Sequence, residues 1–290
     1  MVGIMLGRKH IHLKSLNIGT NKGEVIMDEQ KYLTEYYNNY DEEGRLTSKH
    51  GQVEFLTTMK YINKYLRKGM RILEVGAGTG RYSIALADQG YQVDAVDLIE
   101  HNIELLKTKI KPEHNISAKV GNALDLSCYA DNTFDITLVL GPMYHLFHID
   151  DKKKALQEAI RVTKRGGVVF VAYCINEGTM IVWGFVRGNI LEGIKNDLID
   201  LDKYQCKSNP SLIFEMHRRE DIAELMSIFD VEPLHYVATD LATNFMRDTI
   251  DSMDDKMFQT YLDYHFTICE RVDLVGATHH SLDIFRKISD

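Results

Sequence analysis

The residues best placed to do chemistry are Glu74-Val75-Gly76-Ala77-Gly78-Thr79-Gly80. Glycines at every second position let a backbone turn tightly and approach a ligand, and the helix start that follows offers N–H groups to it. A dinucleotide fingerprint, Gly-x-Gly-x-x-Gly, would place its third glycine where Arg81 stands; here that glycine comes one residue early, at Gly80. Glu74 precedes the run at a strand end. A carboxylate there suits a ligand carrying an ammonium group better than a pyrophosphate.

Asp97 ends the next apolar run, at the spacing of a ribose-binding acid after a glycine turn. It can accept hydrogen bonds from both ribose hydroxyls, or cap a helix. Leu98 can pack on one face of an adenine. Tyr144, His145 and His148 cluster after a later strand. One of them can serve as a general base, the two histidines can pair on a metal, or the group can line and cap a loop. Trp183 and the methionine-rich stretches after Asp240 are either core or dimer contacts, or an apolar acceptor pocket.

These residues need a scaffold of alternating elements. Apolar runs predict strands over Met70–Val75, Tyr91–Val96, Ser117–Val120, Phe134–Leu140 and Val168–Tyr173. Helical periodicity predicts helices between them: Arg81–Asp88, stopped by Gly90; Ile99–Ile110; and one capped by Asp150 and closed by Gly166-Gly167. Two helical stripes precede the first strand, through Tyr32, Leu33, Tyr36, Tyr37 and Tyr40, then through Val53, Phe55, Leu56, Met59, Ile62 and Leu66. Strands alternating with helices imply right-handed crossovers and a parallel, doubly wound sheet. Residues 174–217 hold no clear strand. A helix over Arg219–Phe229 and strands over Val231–Ala238 and His280–Arg286 complete the pattern, around a helical stretch at 240–276.

The chain has 290 residues, 44% hydrophobic and 26% charged, as soluble globular proteins have. A formal net charge of -8 argues against binding along a phosphate backbone. Four scattered cysteines without a CxxC pair read as reduced thiols in the cytoplasm, and no apolar run is long enough to span a membrane. The first 26 residues are basic and lack the apolar core of a signal peptide, so they read as an extension before a domain over 27–290.

The acid-x-Gly-x-Gly-x-Gly run resembles motif I of the class I S-adenosylmethionine (SAM) dependent methyltransferases, of the small-molecule, type 11/25-like kind. The resemblance implies a Rossmann-like seven-stranded α/β sheet with helical lid insertions at about 174–217 and 240–276. It implies SAM as cofactor, its methionine part held by Glu74, Gly76, Ala77, Gly78 and Gly80 and its ribose by Asp97. Gly121-Asn122-Ala123 looks like the family's Gly-Asp-Ala segment, so Leu98, Asn122 and Ala123 would hold the adenine. The Leu140 carbonyl would face the ammonium group, with Tyr144 and His145 as catalytic candidates. The tyrosine-rich start resembles the helix that closes over the cofactor in small-molecule members. It makes Tyr37, Tyr40 and Arg45, with Trp183, candidates for lid or substrate contacts. No metal is implied.

The implied reaction is methyl transfer to a small-molecule acceptor by a monomer or homodimer. The loop after the fourth strand reads Leu-Gly-Pro-Met. It lacks the Asp/Asn-Pro-Pro-aromatic of base-amine methylation, and no Pro-Cys occurs, so a nucleic-acid substrate is disfavoured. A protein or RNA methyltransferase, a nicotinamide oxidoreductase and a non-catalytic SAM-binding protein are the other readings.

Overall fold

A computed structural model describes residues 22–39 and 47–289. Two helices lead in, α1 (Lys22–Asn39) and α2 (Lys49–Tyr65). The alternation then runs β1 (Arg71–Val75), α3 (Arg81–Ala87), β2 (Gln92–Asp97), α4 (Glu100–Lys109), β3 (Ile116–Val120), β4 (Phe134–Val139), α5 (Ile149–Val162) and β5 (Thr163–Ile175). The first insertion holds α6 (Asn176–Thr179), a π-helical stretch Met180–Val186, α7 (Ile190–Lys195), and the two-residue strands β6 (Ile199–Asp200), β7 (Gln205–Cys206) and β8 (Met216–His217). The fold resumes with α8 (Arg219–Met226) and β9 (Val231–Ala238). After α9 (Arg247–Asp251) and α10 (Asp255–Ile268) it finishes on β10 (His280–Lys287).

The main path of the sheet is β3-β2-β1-β4-β5-β10-β9, with β8 added beside β5. β1 to β5 are parallel, while β10 is antiparallel to both its neighbours. This is the seven-stranded, doubly wound α/β sheet that the motif implied. Alternation along β5 sets the layers. Val168, Phe170, Ala172 and Cys174 join one core, with Tyr61 and Ile62 of α2 and Leu86 of α3. Val169, Val171, Tyr173 and Ile175 join the other, with Leu156 and Ala159 of α5 and Ile222 and Leu225 of α8. The period of two in the sequence thus becomes two apolar faces, each covered by helices. No helix of the described residues is long and apolar enough to cross a membrane.

Several expectations give way to the structure. His148, not Asp150, occupies the N-cap of α5, and Asp150 lies inside its first turn. Gly166-Gly167 do not close that helix: α5 ends at Val162 and passes directly into β5. The pair sits within the strand, where pairing slips from Phe134↔Thr163 to Ile136↔Val168. A Cβ on Gly167 would lie 2.8 Å from the Asp135 carbonyl oxygen, so a glycine is needed at this bulge for close backbone approach rather than helix termination. The segment read as strandless holds β6, β7 and β8, strands too short to leave a periodic signal. α1 begins at Lys22, ahead of the expected domain start at Met27. Tyr40 and Arg45 lie outside the described residues.

Candidate functional site

A cavity opens at the carboxyl ends of β1, β2, β3 and β4, where a doubly wound sheet holds its ligands. The glycine turn forms part of its wall. Gly76, Gly78 and Gly80 have φ of +77°, +52° and +85°, a region open to glycine and strained for other residues. Contacts add to the requirement. A Cβ on Gly76 would lie 2.5 Å from Pro142 Cδ, and one on Gly80 would lie 2.1 Å from Leu106 Cδ1. Gly76 and Gly78 line the cavity. Ala77 and Gly80 lie behind it, Ala77 packing with Ile103 and Leu106. The turn's N–H groups are mostly engaged within the protein: those of Gly76 and Ala77 donate to the Val96 carbonyl at 2.8 and 3.0 Å.

Asp97 knits the turn to the end of β2. Its Oδ2 accepts the Gly78 N–H at 2.7 Å, and its Oδ1 accepts the Ile99 N–H at 2.9 Å and Asn102 Nδ2 at 3.1 Å. Burial raises its pKa, against the pull of the Ile99 and Gly78 amides. A carboxylate offers about four lone-pair positions. Three are filled here, which leaves Oδ2 one for a ligand hydroxyl.

Leu98, Asn122, Ala123 and Leu140 also line the cavity. Asn122 Oδ1 accepts the Leu124 N–H at 2.9 Å, which holds this loop in a tight local turn.

Glu74 takes a different place. It is buried beneath the turn, does not line the cavity, and accepts a hydrogen bond from Ser83 Oγ at the start of α3. Burial pushes its pKa up to about 8.

An aromatic group closes the other side. Tyr37 of α1 donates its hydroxyl to His145 Nε2 at 2.9 Å, and His145 Nδ1 donates to the Ile213 carbonyl at 2.8 Å. These two bonds fix the ring's tautomer, with its hydrogen on Nδ1. Burial lowers the His145 pKa to about 4, so the ring is neutral. Phe214 and Tyr144 pack against His145, with ring centroids at 5.2 and 6.1 Å. Ile213 has φ +72°, a strained value for a β-branched residue, held by its bond to His145 and its burial.

Behind Tyr144 lies a buried charged cluster. His280 Nδ1 donates to Asp240 at 2.7 Å and lies 3.5 Å from Glu54. Burial opposes the charge on His280, but Glu54 and Asp240 hold its pKa up at about 10. Asp240 also accepts the His279 N–H at 2.9 Å and Asn244 Nδ2 at 2.6 Å. The cluster is a satisfied ion pair tying α2 to the ends of β9 and β10.

Sequence reasoning missed Gln30, Leu33, Asn102, Leu146, Phe147, Asp151, Pro210 and Ile213, which also line the cavity. Asn102 lies one helical turn past Asp97 and was within reach of a helix-facing argument. Pro210 and Ile213 come from an irregular insertion and carry no periodic signal. Trp183 is brought elsewhere: it packs with Met180 and Ile199 in a small core of the insertion. Among the described residues, no lysine or arginine lines the cavity.

Residues 72–167 match a family model described as a methyltransferase domain. That match covers about a third of the chain, from β1 into β5, and the sheet has the fold of solved SAM-dependent methyltransferases. It is 32% identical over 159 residues to a demethylmenaquinone methyltransferase of Bacillus pumilus, covering 52% of this chain and 64% of that one. It is 40% identical over 105 residues to the protein of that name from Renibacterium salmoninarum, covering 36% of this chain and 41% of that one. The matches thus span less than two thirds of these curated relatives. A solved SAM-dependent methyltransferase from Methanosarcina mazei superposes with a TM-score of 0.53 at 16% identity, over 79% of this chain and 98% of that one, a likeness of fold.

Proposed function

We propose that the protein binds SAM in this cavity and transfers its methyl group to a small, largely apolar acceptor of the demethylmenaquinone kind. The observation that carries the reading is the charge pattern of the cavity. Asp97 puts a carboxylate beside the glycine turn, and no lysine or arginine lines the cavity among the described residues. A pyrophosphate would face that carboxylate with no cation to offset it, whereas a cationic cofactor is matched.

The residues fit the cofactor. Asp97 keeps one acceptor position for a ribose hydroxyl, Leu98 offers an apolar face, and Asn122 and Ala123 border the place for an adenine. Gly76, Gly78 and Leu140 bring backbone close to the methionine part. Glu74 supports the turn from below, through Ser83, rather than touching the ligand. SAM supplies a methyl group on a sulfonium, already a good leaving group, so positioning can supply much of the rate.

Tyr37, Tyr144, His145 and Phe147 give the acceptor end an aromatic wall suited to a flat ring. His145 is too weak a base to keep a proton near neutral pH. Its role in this reading is to hold Tyr37, whose phenol oxygen is then directed by a fixed neighbour. Four free cysteines accord with a reducing, cytoplasmic setting.

The test is calorimetry with SAM and with NADH, followed by transfer from methyl-labelled SAM to demethylmenaquinone, oxidised and reduced. SAM binding with labelled product is expected. Binding of NADH without SAM would sink the reading, and labelled protein or RNA in place of the quinone would move the acceptor to another class.

A further inference from the structure

We propose that Asp151 reads the methyl acceptor: its carboxylate takes a hydrogen bond from a hydroxyl or amino group of the molecule being methylated. The inference rests on the reading of the cavity as a methyl-transfer site, and it starts from a difference between the two carboxylates there. Asp97 is engaged by Gly78, Ile99 and Asn102. Asp151 also lines the cavity, yet no hydrogen bond or ion pair engages its side chain among the described residues. Only its backbone is engaged, the N–H donating to the His148 carbonyl at 3.1 Å.

The neighbouring cation is committed elsewhere. Lys152 Nζ bonds Glu215 at 2.6 Å, with both side chains largely buried. The Glu215 N–H in turn donates to the Tyr144 carbonyl at 2.7 Å. These contacts tie the first turn of α5, the loop carrying Tyr144 and the insertion carrying Ile213 into one rim. Asp151 is thereby placed on the side of the cavity that the aromatic group and the insertion enclose. Leu146, Phe147 and Ile213 also line it.

A few polar groups in a largely apolar pocket fix the orientation of what enters. A half-buried carboxylate loses water when a ligand covers it, and that loss is compensated only by a donor. An acceptor presenting an O–H or N–H to Asp151 is therefore favoured. One presenting only carbonyl oxygen or hydrocarbon there is penalised, the kind of asymmetry by which hydrogen-bonding sites discriminate strongly.

The test compares wild type with Asp151→Asn and Asp151→Ala. SAM affinity is read by calorimetry, and KM and kcat with chemically reduced demethylmenaquinone as the probe. The alanine variant is expected to raise the acceptor KM about tenfold or more, with SAM affinity within about twofold of wild type. The asparagine variant, which keeps an acceptor oxygen, is expected to fall between. Unchanged acceptor kinetics in both variants, with wild type active, would overturn the role of Asp151 alone. A parallel loss of SAM affinity would also overturn it, making Asp151 a cofactor contact. Wild type that neither binds SAM nor methylates the probe would remove the underlying reading, and the proposal with it. Thermal unfolding of each variant separates these outcomes from misfolding.

Discussion

The Asp97 carboxylate and the Gly78 amide lie 2.7 Å apart, so the end of β2 holds the glycine turn that follows β1. Asp97→Ala therefore does two things. It strands a Gly78 N–H in a part-buried turn, at about 1–3 kcal/mol of stability, and it removes the acceptor kept for the cofactor. Denaturant unfolding is expected to show the first effect. Calorimetry is expected to show SAM binding weakened about tenfold or more. Stability loss with unchanged SAM affinity would confine Asp97 to the turn.

Gly80→Ala is expected to destabilise by about 1–3 kcal/mol, because φ +85° is strained for alanine and the new methyl meets Leu106. The two causes separate in a cycle. Leu106→Ala costs about 2–5 kcal/mol alone by leaving a cavity, and the double variant should cost less than the sum. Strict additivity in urea unfolding would mean the side chains do not meet.

Glu74 couples stability to pH. Its folded pKa of about 8 lies above the ordinary 4.5, so the folded state holds more protons than the unfolded one between these values. Stability is then fullest below the ordinary value and declines as pH rises through about 8. Asp283, raised to about 7 by burial, contributes in the same direction. Glu74→Gln is expected to flatten part of this decline in denaturant midpoints measured between about pH 5 and about pH 9. A variant with the wild-type slope would mean that Glu74 stays charged when buried.

Tyr37→Phe leaves His145 Nε2 without its donor and removes one tie between α1 and the loop carrying His145, while Tyr36 still packs on Phe214. We expect kcat/KM for the acceptor to fall about tenfold, with SAM affinity nearly kept. Equal losses in both would place α1 over the cofactor rather than the acceptor.

Trp183 is the chain's single tryptophan and packs inside the first insertion, away from the cavity lining. Its emission maximum is expected to stay fixed when SAM binds. It should shift in Gly193→Val, since even a Cβ at Gly193 would lie 2.7 Å from the indole ring. A SAM-induced shift would show that the insertion repacks on binding.

The parts legible in the sequence were those with a period or a fixed spacing. The strands β9 and β10 were readable from alternation nearly to their observed ends, and Asp97 from its distance to the glycines. Glu74 was located from its place before the glycines, but its burial and its bond from Ser83 depend on how α3 packs, which no local pattern encodes. The Gly166-Gly167 pair was misread because two glycines after a helix look like a stop, whether the chain turns away or, as here, bulges within a strand. Ile213 and Pro210 reach the cavity through an insertion whose path depends on tertiary contacts such as Lys152–Glu215, which no local pattern encodes.

The strand order β5-β10-β9 has a consequence for how the molecule assembles. Among the described residues, β9 is bonded only to β10, although it precedes β10 in the chain. It therefore joins the sheet only through β10, with the segment carrying α9 and α10 looped out between the two strands. Pairing β10 with β5 brings together strands far apart in the chain, a non-local contact of the kind that slows folding. The half of the sheet built from β1 to β5 has its strands closer together in the chain and carries the glycine turn and Asp97. We expect the ligand end of the molecule to be organised early and β9 to be the last strand to acquire protection in pulsed hydrogen exchange; protection of β9 ahead of β1 and β2 would overturn that order.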